Sequence, residues 1–154
     1  MTNELLLCRL LMARPDDLES FVRWCNAVAD WEAFFRCAEE HRAKNLVSHY
    51  LRQCDAELKR CLPASIWRAV DRTLIRGLAS AALLAKTLEE VLILASEAGI
   101  RVVVLKGLPL AERLYPAIGL RPSGDLDLLV ARADVERLGS LLNRIGYHER
   151  DELG

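Results

Sequence analysis

With 154 residues, 52% of them hydrophobic, the chain can build one domain of common size, or a helical domain joined to a small α/β unit. Its 21 basic and 22 acidic residues leave a formal charge of −1, so no global field attracts nucleic acid or an anionic membrane and any polyanion site must be local. No apolar run approaches the roughly 18 to 20 residues of a membrane span, and Met1-Thr2-Asn3-Glu4 has an acid where a secretion signal needs a base, which predicts a cytoplasmic protein.

Leu5 to Met12, interrupted by Arg9, reads as an amphipathic first helix. Asp16 is the expected cap of the next helix, with Glu19 three positions on and Leu18, Phe21, Val22 and Cys25 at helical spacing. Asp30-Trp31-Glu32 marks a further start, leading into Phe34, Phe35 and Ala38. After a break near Arg42-Ala43 come Leu46, Val47, Tyr50 and Leu51. These segments predict short antiparallel helices.

Pro63 opens a third region. From Ile66, apolar residues including Val70, Leu74, Leu78, Ala81, Leu88 and Ala95 recur at steps of three and four up to Gly99. This is one helix of roughly 30 residues, about 45 Å long. Leu83, Leu84, Val91 and Leu94 widen its apolar face, so it is expected to pack on more than one side, with Gly99 as its stop.

The pattern changes at Ile100. Ile100 to Leu105 reads as a largely buried strand, Leu108 to Tyr115 as a short helix, and Leu126 to Val130 as a second buried strand. Asp134 to Ile145 is a helix capped by Gly146, and a third strand is expected from Tyr147. The fold class is therefore α+β: a helical bundle with one long helix over residues 1–99, then an α/β unit of two to three strands over 100–154, with the long helix as the bridge.

Cys8, Cys25, Cys37, Cys54 and Cys61 are an odd set without a Cys-x-x-Cys pair, which predicts reduced, structural thiols. His41, His49 and His148 are too scattered for a metal site, and Trp24, Trp31 and Trp67 read as packing residues.

Chemistry concentrates in two short runs. In an extended strand alternate side chains share a face, so Asp125 and Asp127 stand roughly 6.6 to 6.8 Å apart at Cα and can converge on one ion. Hard carboxylate oxygens suit Mg2+ or Mn2+, with triphosphate oxygens completing the coordination. Alone, the pair is equally a turn cap and a strand-edge residue. Eighteen residues before Asp125 lies Gly107, at a strand end before a helix, where a bare backbone can approach phosphate closely. Lys106 adds a point charge there. Arg121, in a turn with Gly119, Pro122 and Gly124, can pair with Asp125 or contact a phosphate.

The run LKGLPLAERLYPAIGLRPSGDLDLLV resembles the signature of an uncharacterised nucleotidyltransferase family within the DNA polymerase beta-type superfamily. The helical region before it, with Asp30-Trp31 and a long helix ending in Gly99-Ile100, resembles that family's amino-terminal part. The resemblance implies that Gly107 is the glycine of the superfamily's turn and that Asp125 and Asp127 are its first two metal-binding carboxylates. Lys106 and Arg121 match positions typical of the family and complete an expected nucleotide-binding set. The implied activity is metal-dependent transfer of a nucleoside monophosphate from a nucleoside triphosphate to an acceptor hydroxyl.

Two departures stand against this pattern. The superfamily usually has Gly-Ser or Gly-Gly at the turn, whereas Leu108 follows Gly107, so backbone N–H groups are expected to hold the phosphate. Its third carboxylate sits on a later strand, and the sequence runs only eight residues past Gly146, with Asp151 and Glu152 as poor substitutes. The expectation is an incomplete catalytic core, a truncated chain or a partner that supplies the rest. The alternative is a non-catalytic nucleotide-binding or protein-interaction module that keeps the fold. Near-neutral charge favours a small molecule or protein as acceptor over a long nucleic acid.

Overall fold

Thr2 and Asp30 open two helices by supplying side-chain oxygens to otherwise unpaired backbone amides. Thr2 Oγ1 accepts from Leu5 N at 3.4 Å, and Asp30 Oδ1 accepts from Glu32 N and Ala33 N at 2.9 and 3.0 Å. The computed structural model describes residues 2–13, 18–54 and 62–148. Its helices are α1 (Asn3–Met12), α2 (Leu18–Asn26), α3 (Trp31–Glu40), α4 (Lys44–Gln53), α5 (Ala64–Glu97), α6 (Leu108–Leu114) and α7 (Val135–Arg144). The strands are β1 (Val102–Val104) and β2 (Leu128–Val130), and short 3-10 turns span Ile118–Leu120 and Arg132–Asp134. The fold class is α+β, as expected. The proposed Asp16 cap, Cys61, Asp151 and Glu152 lie outside the described residues.

Helices α1 to α4 and the start of α5 enclose the main core, in which Leu10, Phe21, Phe34, Val47, Leu51 and Val70 are fully buried. Trp24, Trp31 and Trp67 pack against it in partly buried positions, consistent with a packing role. Trp31 meets Phe34 edge-on at 5.5 Å between ring centroids, and the Arg9 guanidinium lies 4.8 Å over the Trp24 ring. Cys8, Cys25 and Cys37 are free thiols, Cys54 Sγ donates to the Tyr50 carbonyl at 3.3 Å, and burial pushes the Cys25 thiol far up from its ordinary value.

Helix α5 runs 34 residues, about 51 Å, and stops where expected. Gly99 takes φ +69, while Gly99 N and Ile100 N donate to the carbonyls of Ser96 and Ala95. Its buried residues fall at the two ends and the middle: Ile66 and Val70 in the main core, Ala81 midway, and Val91 and Ala95 near the strands. The long helix packs against α4, α6, α7 and the 3-10 turn at Ile118–Leu120, while Leu78 and Leu83, expected on its apolar face, are 58% and 68% exposed. Midway along the helix the 3-10 turn Ile118–Leu120 packs against it. There Gly119 comes so close that a Cβ on it would lie 2.7 Å from Leu78 N and 2.8 Å from the Gly77 carbonyl carbon. The buried Asn45 of α4 donates from Nδ2 to the Gly119 carbonyl at 2.7 Å, fixing the 3-10 turn against the bundle.

The strands differ from expectation in burial. They form an antiparallel pair with Val102 opposite Val130, Val103 opposite Leu129 and Val104 opposite Leu128. Val102 and Val130 face a small second core of Ala95, Ile100 and Leu138, whereas Val103 and Leu129 are more than half exposed. An apolar strand buried on both faces needs a layer on each side, and among the described residues only one side is covered. Gly146 closes α7 at φ +93, with Tyr147 N donating to the Leu142 carbonyl. Arg137 ties α7 to the end of α5 through Asp134 and the Ala98 carbonyl, both at 2.8 Å. Tyr147 and His148 are not in a strand, and the remainder of the expected third strand lies outside the described residues. Among the described residues no helix is long and apolar enough to cross a membrane.

Candidate functional site

The ladder between β1 and β2 continues one step past the strands, because Leu105 N donates to the Asp127 carbonyl at 3.0 Å. That bond sets the chain after β1 beside the chain before β2. The next residue, Lys106, places Nζ 3.0 Å from Asp127 Oδ2, with the two side chains 59% and 34% exposed. Asp125, two residues ahead of Asp127, is exposed, so both carboxylates are accessible to an incoming cation.

Gly107 follows at φ +76, ψ −118, a conformation that a side chain strongly disfavours. Its carbonyl accepts the first bond of α6, from Ala111 N at 3.0 Å. In the first turn of α6 the amides of Leu108 and Leu110 have no intrahelical partner, and Pro109 contributes none. The backbone cradle is thus one N–H poorer than an ordinary helix start.

A hydroxyl stands beside the turn after all. A Cβ on Gly107 would stand 3.0 Å from Ser123 Oγ and 3.7 Å from the Asp125 carbonyl, so the Ser123-Gly124-Asp125 segment lies directly against the glycine turn. Ser123 Oγ donates to that carbonyl at 3.5 Å, a bond long enough to be exchanged for a better acceptor. The residue directly after Gly107 is Leu108, and the nearby hydroxyl comes from sixteen residues downstream instead.

Arg121 forms no ion pair with Asp125 among the described residues. It lines a cleft on the other side of Gly107, between the turn and the helical bundle. Of the five expected site residues, the structure joins Lys106 directly to Asp127 and sets the backbone of Asp125 beside Gly107, with Arg121 across the turn. Among the described residues no three His, Cys, Asp or Glu side chains gather as a metal-binding group.

A glycine turn between a strand and a helix, facing carboxylates at the mouth of the paired strand, is an arrangement suited to phosphate transfer chemistry. A family model described as uncharacterised nucleotidyltransferase matches residues 27–153, and the chain belongs to that family. Neither a curated protein nor a solved structure matches it.

Proposed function

We propose that the chain acts as a metal-dependent nucleotidyltransferase, moving a nucleoside monophosphate from a nucleoside triphosphate to an acceptor hydroxyl. The observation that carries this reading is the contact of Lys106 with Asp127 beside the bare Gly107 turn. Asp125 and Asp127 offer hard oxygen donors without competing thiolate or imidazole ligands, a donor set that fits Mg2+ or Mn2+. When bound, such an ion neutralises triphosphate charge and polarises the acceptor hydroxyl.

Gly107 admits the phosphates to within hydrogen-bond reach of the Leu108 amide. Ser123 Oγ supplies a hydroxyl donor from the facing segment, and Lys106 transfers its charge from Asp127 to a phosphate oxygen. The acceptor oxygen bonds to the α-phosphorus, the bond to the β-phosphate oxygen breaks, pyrophosphate leaves with that electron pair, and the hydroxyl proton passes to solvent. The acceptor is a small molecule or a protein, since the near-neutral chain lacks the field for long nucleic acid.

A second reading is nucleotide binding without transfer, through the Gly107 turn and the Lys106–Asp127 pair. Thermal unfolding with each nucleoside triphosphate, with and without Mn2+, tests binding. Ligand at about 100 times its dissociation constant adds about 2.7 kcal/mol, raising the midpoint by roughly 5 to 10 °C. The rise should require both nucleotide and metal and vanish in Asp127→Asn; an unchanged response in that variant would overturn the site. Release of pyrophosphate on adding candidate acceptors separates transfer from binding alone.

A further inference from the structure

The cleft lined by Arg121 measures about 450 Å3, and its far wall comes from the helical bundle. Arg42, after α3, and Arg76, on α5, line it together with Arg121, Gly107 and Ser123. Lys44 and Glu39 also line it but are paired with one another at 2.7 Å. None of the three arginines forms an ion pair with another described residue, whereas Arg23, Arg52, Lys86 and Arg137 each do. Three arginines without an ion-pair partner among the described residues line one concavity, which favours an anionic ligand there although the net charge of the chain is −1.

We propose that this cleft is a binding site for a small phosphate-bearing anion, held by Arg42 and Arg76 of the helical bundle together with Arg121. The volume lies in the range of roughly 300 to 1,000 Å3 used for small ligands. Guanidinium forks match phosphate oxygens two at a time, and the hydroxyls of Thr73, Ser80 and Ser123 line the same space as further donors. Arg42 adds a second kind of observation. It has φ +54, the one non-glycine residue with positive φ among those described, at a helix end where glycine or asparagine fits best. Its backbone completes the stop of α3, with Arg42 N donating to Glu39 O and Ala43 N to Ala38 O. Glycine would serve that stop without strain; arginine brings a charge to the cleft.

The site adjoins Gly107, so its role as part of a transferase rests on the proposed function, while anion binding itself does not. The phosphate belongs either to the nucleotide's triphosphate tail or to a phosphorylated acceptor. Titration calorimetry of the full chain with inorganic tripolyphosphate, in chelator and without divalent metal, reads the site directly. Wild type should bind, and Arg42→Gly and Arg76→Gln should each weaken binding about tenfold. Because glycine accepts the Arg42 backbone, Arg42→Gly should unfold no earlier than wild type, so its loss of binding cannot be ascribed to misfolding. Absence of binding by wild type, or unchanged binding in both arginine variants, would overturn the proposal. Displacement of tripolyphosphate by a nucleoside triphosphate assigns the nucleotide tail, and simultaneous binding assigns the acceptor. Failure of the metal-site reading shows separately, as a nucleotide and Mn2+ response indifferent to Asp127→Asn.

Discussion

Lys106 Nζ sits 3.0 Å from Asp127 Oδ2, on the carboxylate expected to hold a metal ion. In the proposed reaction the ammonium competes with a divalent cation until a phosphate draws it away. Both groups are substantially exposed, and pairs of this kind contribute at most about 1 kcal/mol to folding. Lys106→Met should thus unfold within about 1 kcal/mol of wild type. Its affinity for Mn2+ alone should rise about fivefold, as expected for removing a positive charge at this distance in a solvated site. Affinity for nucleoside triphosphate should fall. Calorimetric titration of Mn2+ with and without nucleotide checks this, and an unaltered Mn2+ affinity would mean that the ion pair does not guard the site.

Gly107 carries the strain that makes the turn possible. At φ +76, ψ −118 a side chain is unfavourable whatever space surrounds it, and here a Cβ would also press on Ser123 Oγ at 3.0 Å. Gly107→Ala should cost about 1 to 3 kcal/mol, lowering the thermal midpoint by roughly 3 to 10 °C. Adding Ser123→Ala removes the contact but leaves the dihedral strain, so the double variant should recover less than half of the loss. Full recovery would assign the cost to crowding instead.

The helical half was largely legible because its signals are local. Asp30 as a cap, the break at Arg42-Ala43, and Gly99 and Gly146 as stops each follow from the conformation that one residue prefers. The glycine turn was also legible, since Gly107 takes positive φ between the strand and the helix, with Lys106 brought onto Asp127 beside it. Strand burial was not: a β-branched run broken only by Arg101 says that Val102 to Val104 suit a sheet, but not how many layers cover it. Ser123, Arg42 and Arg76 were missed because they reach the glycine turn only through tertiary packing. The one available hint was an arginine at a helix stop, whose positive φ appears only in three dimensions.

That packing depends on Asn45, whose role is equally invisible in sequence. Its buried Nδ2 donates to the Gly119 carbonyl at 2.7 Å, 74 residues away, and Gly119 stands two residues before Arg121. Asn45→Ala leaves a buried carbonyl without its donor and should cost about 1 to 3 kcal/mol in denaturant unfolding. Gly119→Ala should cost more, because its Cβ would meet backbone atoms of α5, which cannot rotate away as a side chain can. The functional consequence separates this bond from ordinary core packing. Releasing the 3-10 turn lets Arg121 and Ser123 drift from Gly107, so Asn45→Ala, in the wall of the same cleft but away from the carboxylates, should weaken nucleotide binding. A core variant of similar cost far from the turn, such as Leu10→Ala, should leave binding of the folded protein unchanged. Equal binding by Asn45→Ala and Leu10→Ala, measured well below both unfolding midpoints, would show that the turn holds its place without the asparagine.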